Sequence, residues 1–485
     1  MDRPRRAMDL HDPEAGLLPR EQMDLPSRLS ASNASFRRMA QQRHNRPLII
    51  QKVPQSVRGG LEKRYFVPDV VSIGPYHHRS QHEPHLAEME EVKEAVAHEF
   101  CQHSALAAAD GGQASAAAAT VMARLLEAVT SILPNAKGCY ADSRFDSIRD
   151  DNDFAYMMVV DGCFLLAVMA VLTRRYPEEL GHGSWTHGRM LRIMKDILLF
   201  ENQIPWIVLR TLMALLQPIP VDDFVDRILA YFDFGVHNRG HERPQSSSRS
   251  RTLWEWERLN PVHLLDLVHQ RHLGLGPREP EPDGPIRYCD YARPFAHFTS
   301  AVELAEAGIH IYGSGTCRVT DVRVEHALPA TALPRLRIGR LILPQLALSW
   351  LPRCWLINMV ALECVTDRFD HSGVSSYLAI LGSLVRAERD VEELRSRRIL
   401  FSTMSDRRTV EFFEGLLDPL PRQDLYLRTL DAIVKLRTRR STRSSIHAVY
   451  YRNRSIIFAA APLLSLLVAI IGIAVTNSIK HKYHT

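Results

Sequence analysis

Residues 154–172 read FAYMMVVDGCFLLAVMAVL and are apolar throughout except at Asp161 and Gly162. These two residues interrupt the run, so that only ten apolar residues follow Gly162 without a break. A membrane-spanning helix needs about 20 consecutive apolar residues. The stretch therefore predicts a helix that is buried on all sides in the core of a large folded domain.

Helix signals occur on both sides of this stretch. Residues 86–100 place apolar side chains at near-helical spacing, at Leu86, Met89, Val92, Val96 and Phe100. Pro205 suits the first turn of a helix, and Asn260-Pro261 predicts the start of another. Ser300-Ala-Val-Glu303 has the form of a capping box, and Gly308 stands where a glycine would end that helix.

The pattern changes after Gly308. Apolar residues now alternate with polar ones, at Ile309 and Ile311, at Val322 and Val324, and at Leu336 and Ile338. Alternation with a period of two is typical of strands. The fold class predicted is mainly α: a large helical domain with a small antiparallel β element.

A second apolar run lies near the carboxyl end. Residues 456–475 read IIFAAAPLLSLLVAIIGIAV, which is 20 residues without a charge. A helix of that length is about 30 Å long and matches the hydrocarbon core of a bilayer. We therefore predict one transmembrane helix over 456–475, with a basic juxtamembrane segment over 435–455 and a short tail over 476–485.

The distribution of charge supports this interpretation. The formal net charge is +5, but residues 435–455 carry seven basic residues and no acid, whereas 476–485 carry two. The positive-inside rule then places the preceding body in the cytoplasm, as in a tail-anchored protein. Once the basic ends are set aside, residues 47–434 have a net charge of −7. The basic surplus thus fits an anionic lipid surface, and nucleic acid is not predicted as a partner.

Composition divides the rest of the chain. Residues 1–46 are polar and without sustained periodicity, which predicts disorder, and residues 47–434 form the helical domain. Three polar or low-complexity stretches, 105–120, 236–252 and 273–287, are predicted to be variable loops. Seven scattered cysteines without CxxC spacing exclude a disulfide-rich scaffold.

Two groups of residues could carry chemistry. One offers imidazole and carboxylate groups of the kind that zinc prefers, at His77, His78, His82 and Glu83, although nearby prolines indicate a loop. The other is Asp161 with Glu201, two acids in apolar surroundings, which are either general acid–base groups or buried carboxylates that pair within the core. Packing histidines and paired carboxylates are favoured, so no catalytic, metal or cofactor site is predicted.

Several blocks of sequence, in order, resemble one plant family. They are Tyr65-Phe-Val-Pro-Asp-Val-Val-Ser-Ile-Gly-Pro-Tyr-His-His78, Met89-Glu-Glu-Val-Lys93, Val160-Asp-Gly-Cys-Phe-Leu-Leu166, Asp196-Ile-Leu-Leu-Phe-Glu-Asn-Gln-Ile-Pro205, Ser300-Ala-Val-Glu-Leu-Ala-Glu-Ala-Gly308 and Ala361-Leu-Glu363. The chain is identified by them as a member of the family called domain of unknown function 247. Ala167 and Gly382 stand where that family usually has an acid, so neither position can serve a shared catalytic carboxylate.

The resemblance implies a plant membrane protein without an established catalytic site. Some members in grasses are associated with the male side of self-incompatibility, which implies a polymorphic recognition protein. A structural role is expected for the motif residues Gly74, Pro75, Tyr76, His77, His78, Asp161, Gly162, Glu201, Asn202, Gln203, Pro205, Glu303 and Gly308. In particular, we expect Glu201-Asn202-Gln203 to cap the helix that begins near Pro205.

These observations predict a non-enzymatic recognition or signalling protein in the plasma membrane. Its expected partners are the lipid bilayer and another protein or a peptide. Residues 105–120 and 236–252 are the expected specificity segments, because loops tolerate change. The alternative is a hydrolase or metal-dependent enzyme that uses the His/Glu group or Asp161 with Glu201.

Overall fold

The computed structural model describes residues 49–59, 61–80, 83–108, 114–142, 145, 147–174, 186–216, 219–232, 259–274, 300–316, 318–327, 338–366, 372–417, 462, 465–466 and 469–473. The chain divides after Pro47, and the described residues belong to the second unit. The predicted disordered segment 1–46 lies outside them, as do the loop 236–252, residues 275–287 of the third loop, the juxtamembrane segment 435–455 and the tail 476–485.

The described part of the chain is mainly helical, as predicted. Its helices are α1 (Gln55–Arg58), α2 (Ala87–Ala108), α3 (Ala114–Ser131), α4 (Leu133–Gly138), α5 (Asp151–Leu172), α6 (His187–Asp196), α7 (Trp206–Leu215), α8 (Val221–Leu229), α9 (Leu264–Leu273), α10 (Ala301–Glu306), α11 (Trp350–Thr366), α12 (Gly373–Leu384), α13 (Glu388–Ser396) and α14 (Asp406–Leu417). Its strands are β1 (Ile309–Gly313), β2 (Arg323–Ala327), β3 (Ile338–Leu343), β4 (Leu346–Leu348) and β5 (Leu400–Ser402).

Helix α5 lies at the centre of the core, as the sequence of 154–172 predicted. Among the described residues it is the one helix long and apolar enough to span a membrane, and 89% of its most apolar window is buried inside the protein. Asp150 caps its first turn by accepting hydrogen bonds from the N–H groups of Asn152 and Asp153, both at 2.9 Å. Helices α2, α3, α7 and α8 pack around it.

Asp161 and Gly162 interrupt the apolar run of α5 but not the helix itself. A Cβ atom at Gly162 would lie 2.2 Å from Cδ1 of Leu212. Because Leu212 is fully buried on α7, the glycine lets α5 and α7 approach closely.

The predicted strands are present, but the sheet is not purely antiparallel. The strand order is β1-β3-β2. Strand β1 runs parallel to β3, with Ile309 opposite Gly339, whereas β2 runs antiparallel to β3, with Val324 opposite Leu341. Alternation identifies a strand but not its neighbour, so the sequence pattern could not reveal that the third strand occupies the centre.

A second, two-stranded sheet was not predicted. Strand β4 pairs in parallel with β5, with Leu346 opposite Leu400. Each strand has three residues, too few for an alternating pattern to stand out.

The predicted helix ends are correct in one case and wrong in another. Ser300 and Glu303 form the expected capping box at the start of α10, and Gly308 follows it with a φ of 76°. Asn260-Pro261 does not start a helix, because α9 begins at Leu264 and is capped by the His263 side chain. That imidazole accepts a hydrogen bond from the backbone N–H three residues later, at 3.2 Å.

The predicted loop over 105–120 is largely helical. Helix α2 continues to Ala108 and α3 begins at Ala114, so that 109–113 alone lie between them, outside the described residues. Alanine has the highest helix propensity of all residues, so this alanine-rich stretch favours helix rather than loop.

Eight residues of the predicted span over 456–475 are described, and all are helical and exposed. The exposed fractions are 60% for Leu466, 56% for Ile470, 54% for Ile471 and 63% for Ile473. These four described side chains therefore lack the packing that buries the apolar side chains of α5.

Candidate functional site

The segment 69–74 is held by buried polar side chains from distant parts of the chain. The Asp196 carboxylate, at the end of α6, accepts hydrogen bonds from three consecutive backbone N–H groups. The shortest N–O distances are 2.9 Å for Asp69, 2.7 Å for Val70 and 3.1 Å for Val71. Burial raises the pKa of Asp196 to about 6, although Lys195 and the three N–H groups favour its ionised form.

Asn202 continues this set of contacts along the same segment. Its Oδ1 accepts from the N–H of Ile73 at 2.7 Å, and its Nδ2 donates to the carbonyl oxygens of Val71 at 3.0 Å and Asp196 at 2.9 Å. The amide is fully buried, and each of these contacts satisfies a backbone group that would otherwise be left without a partner.

Gly74 is required at the end of the segment by its surroundings. Its φ is +77°, and a Cβ atom there would lie 2.3 Å from the carbonyl oxygen of Gln203. The hydroxyl of Tyr140 donates to that same carbonyl at 3.0 Å, and the Gly74 N–H donates to Asp161 Oδ2 at 2.7 Å. A residue with a side chain would therefore disrupt the contact between the two segments.

Lys93 of α2 is a fully buried cation of the site. Its Nζ lies 2.6 Å from Asp161 Oδ1, 2.9 Å from Glu90 Oε1 and 2.8 Å from the carbonyl oxygen of Ser72. Burial alone would lower the pKa of Lys93, but Asp161 and Glu90 outweigh it and raise the pKa. The ammonium group thus stays charged in the core because two carboxylates face it.

Glu90 occupies the opposite side of this cluster. It accepts from the Ser72 hydroxyl at 2.6 Å, and its second oxygen lies 3.4 Å from Nδ1 of His78. Burial would raise the pKa of Glu90, but His78, Lys93 and Ser72 together lower it to about 2. The carboxylate is consequently ionised at neutral pH.

Glu201 connects the segment that contains Val53 and Arg58 to the same region through hydrogen bonds. Its Oε1 accepts from the Val53 N–H at 2.6 Å and from the Arg58 guanidinium, and its Oε2 lies 3.6 Å from Nε2 of His77. Burial opposes ionisation, but His77, the Val53 N–H and Arg58 hold the pKa of Glu201 below its ordinary value.

The expectation that Glu201, Asn202 and Gln203 cap the helix after Pro205 is wrong. Helix α7 has no side-chain cap, and its first N–H donates to the carbonyl of Val262 at 2.6 Å. Gln203 instead accepts from the N–H of Leu265 at 3.1 Å, in the first turn of α9. These polar residues therefore join segments that are far apart in sequence.

Among the described residues, the members of the two possible enzymatic groups bind different partners: Asp161 binds Lys93 and the Gly74 N–H, whereas Glu201 binds the Val53 N–H and Arg58. His77 and His78 face different carboxylates, Glu201 and Glu90, and His82 lies outside the described residues. Glu83 binds Lys63 at 3.0 Å and Ser80 at 2.7 Å. Within the described ranges there is no group of three or more His, Cys, Asp and Glu residues that could hold a metal ion.

A second buried cluster contains serine, histidine and an acid, but in the wrong order for nucleophilic catalysis. Glu363 of α11 lies in the middle, with its Oε1 2.7 Å from Nε2 of His269 and its Oε2 in contact with the Ser375 hydroxyl. It also accepts from the N–H groups of Val374 at 2.9 Å and Ser375 at 2.7 Å. A nucleophile needs the histidine beside the serine, so this carboxylate serves as a cap for α12.

A polar cleft of about 200 Å³ opens beside the Lys93 cluster. It lies between α2 and α5, and residues 78–79 and 147–149 contribute to its walls. Glu90 and Asp161 form its floor, and its wall includes Glu94, Asp153 and Tyr156. The cleft is therefore directly adjacent to the buried ion cluster, because Glu90 and Asp161 belong to both.

Comparison with known proteins assigns the chain to a family. A family model for a plant protein of unknown function, DUF247, matches residues 50–473. The chain belongs to the DUF247 family. A UPF0481 protein of Arabidopsis thaliana is 27% identical over 228 residues, which cover 46% of this chain and 41% of that relative. No solved structure matches the chain.

Nine of the thirteen motif residues of this DUF247 chain lie in two places. Gly74, His77, His78, Asp161, Glu201, Asn202 and Gln203 lie in segment 69–74 or in the polar contacts near it, and Glu303 and Gly308 lie at the two ends of α10. Lys93 and Asp196 were missed as members of the first group. The sequence did contain a feature that could have identified Lys93: a charged residue at an apolar position of α2, four residues after Met89 and three before Val96.

Proposed function

We propose that this DUF247 chain is a membrane-anchored, non-enzymatic recognition or signalling protein. Residues 456–475 would cross the plasma membrane once, and the helical body would lie on its cytoplasmic side. The observation that carries the proposal is the contrast between two apolar helices. Helix α5 is buried inside the protein, whereas the described large apolar residues of 456–475 are 54% to 63% exposed.

The buried polar groups support a role without turnover. Lys93, Asp161, Asp196, Asn202 and Glu201 are all bonded to backbone groups or to one another. A catalytic group must instead be within reach of a substrate. The enzymatic alternative is tested by elemental analysis and by turnover of small substrates, and zinc that is lost in the His77→Ala/His82→Ala variant would support it.

Membrane anchoring is tested by extracting membranes that contain the full-length chain with alkaline carbonate. We expect the chain to stay in the pellet, because 20 uncharged residues match the bilayer. Removal of residues 456–475 should release it, and removal of 1–46 should not. Release of the full-length chain would overturn the proposal.

Topology is tested by adding protease to intact cells. The seven basic residues over 435–455 favour a cytoplasmic body, and we expect such a body to stay protected from the protease.

The resemblance extends the proposal to pollen–stigma recognition, for which the chain should be present in pollen or stigma. Its complete absence from both tissues would exclude that role.

A further inference from the structure

The rim of the cleft between α2 and α5 carries polar side chains that have no hydrogen-bond or ion-pair partner among the described residues. Arg79, Glu94 and Tyr156 line it, and none of their side chains makes a hydrogen bond or an ion pair with another residue that the structure describes. Burial and the charge of Glu94 raise the pKa of Tyr156, and the charge of Arg79 opposes this. The phenol therefore lies in the field of both an anion and a cation.

The floor and wall of the cleft favour a positively charged group. Four of the lining residues are carboxylates, Glu90, Glu94, Asp153 and Asp161, whereas Arg79 and Arg149 are the guanidinium groups. Arg149 is bound to Asp153 at 2.6 Å, and Lys93 lies behind the floor against both Asp161 and Glu90. Glu94 thus remains as the lining carboxylate without an ion pair among the described residues, with Arg79 as the unpaired cation at the mouth.

The shape and chemistry of the cleft also limit the size of a ligand. A volume of about 200 Å³ is below the several hundred Å³ of sites for drug-sized molecules. Ile148, Met157 and Val160 give it an apolar wall next to the charged groups. A ligand with adjacent positive and negative ends and a small apolar part would satisfy both surfaces.

We propose that this cleft binds the α-ammonium group of an amino acid, free or at the amino terminus of a peptide. Glu94 would face the ammonium group, and Arg79 would face the neighbouring carboxylate or carbonyl oxygen. The inference rests on the proposed recognition function and supplies its ligand class. Glu94 and Arg79 would be joined through the ligand, which accounts for two opposite charges that line one cleft without pairing. Tyr156 would complete the site as a hydrogen-bond donor or acceptor.

The test is equilibrium dialysis of the full-length chain in detergent micelles against four ligand sets, read by mass spectrometry. The sets are the free amino acids, tripeptides with each amino acid followed by two glycines, the same tripeptides with an acetylated amino terminus, and simple alkylamines. We expect retention of free amino acids or of unblocked tripeptides, and which of these two is retained identifies the source. Acetylation should abolish retention, because it removes the positive charge.

Variants at the exposed rim test the geometry without disturbing the buried ions. Glu94→Gln and Arg79→Gln should each weaken binding about tenfold or more, since each removes a charged partner. The matched controls are Glu88→Gln, on the exposed side of the same helix, and Arg210→Gln on α7, and both should bind as the parent does. No retained amine, equal retention of acetylated tripeptides, or unchanged affinity in both rim variants would overturn the proposal. Such a failure leaves carbonate extraction unaffected, so it is distinguishable from failure of membrane anchoring.

Discussion

Replacement of the buried cation should cost this protein several kcal/mol, and the cost should depend on pH. In Lys93→Met the side chain keeps its length, but Asp161 and Glu90 lose the ammonium group that lies 2.6 Å and 2.9 Å from them. Asp161 is 1% exposed, so it will be protonated rather than remain an unpaired buried anion. The folded variant therefore has to bind a proton that the unfolded chain does not bind at neutral pH.

The size of this effect follows from the ordinary pKa of the group. Protonation of a carboxyl with an unfolded pKa of 3.8 costs about 4 kcal/mol at pH 7 and about 1.6 kcal/mol at pH 5, at 1.36 kcal/mol per pH unit. The folded pKa of Asp161 in the variant lies above its unfolded value, so the free energy of unfolding falls as pH rises between the two. Lys93→Met should thus recover about 2–3 kcal/mol, relative to the parent, on acidification from pH 7 to pH 5.

The assay is urea unfolding of the full-length chain in detergent micelles, followed by tryptophan fluorescence at pH 7 and pH 5. Lys63→Met is the matched control, because the Lys63 side chain that pairs with Glu83 is 69% exposed, and ion pairs of an exposed lysine contribute less than about 1 kcal/mol. The double variant Lys93→Met/Asp161→Asn should regain stability at pH 7 and lose the pH dependence. If Lys93→Met is as stable as Lys63→Met at pH 7, or if its cost is the same at pH 5, the proposed charged cluster is wrong.

Three further outcomes are expected. Gly74→Ala should destabilise the protein by about 2 kcal/mol or more, because the φ of Gly74 is +77° and a Cβ atom there would lie 2.3 Å from a carbonyl oxygen. Gly188 has open space around it, so Gly188→Ala should not destabilise the protein. Thermal unfolding compares the two variants. Asp196 has a pKa of about 6 in the folded protein and 3.8 in the unfolded chain. Its ionisation therefore lowers the free energy of unfolding by up to about 3 kcal/mol as the pH rises from 4 to 6. In Asp196→Asn, the free energy of unfolding measured with urea should depend less on pH over that range. Leu466→Arg/Ile470→Arg should release the chain from carbonate-washed membranes, because each arginine adds about 2.5–3.5 kcal/mol to the cost of insertion, and Leu466→Ile/Ile470→Leu should not.

Local signals in the sequence predicted the local features of this fold. The burial of α5 and the capping box of Ser300 and Glu303 depend on residues within a few positions of one another, and both are confirmed. The direction of β1 against β3 depends on a partner about 30 residues away, and the prediction for that sheet was wrong in part. Periodicity and capping are local properties, whereas strand order is decided by packing of the whole domain.

The buried polar contacts were the hardest feature to predict for the same reason. Asn202 precedes a proline and a helix, so a capping role was a reasonable expectation, yet its partners Ile73 and Val71 lie about 130 residues earlier. Asn358 likewise joins Phe200 to Tyr65 through hydrogen bonds of 2.8 Å and 2.7 Å. A polar residue within an apolar context shows that a partner exists, but not where in the chain it lies.

The residues that maintain the fold differ from those available for binding, because the hydrogen-bonding groups of the first set are already used in contacts within the protein. Segment 69–74 uses the carboxylates of Asp196 and Asp161 and the amide of Asn202 to satisfy its own backbone, which leaves those groups no capacity to select a ligand. Under the proposed recognition function, residues whose loss unfolds the protein cannot be the ones that vary to change specificity. Arg79 and Glu94, at the rim of the adjacent cleft, can change without breaking any protein contact that the structure describes, and specificity is therefore expected to reside at such positions rather than in the family motif.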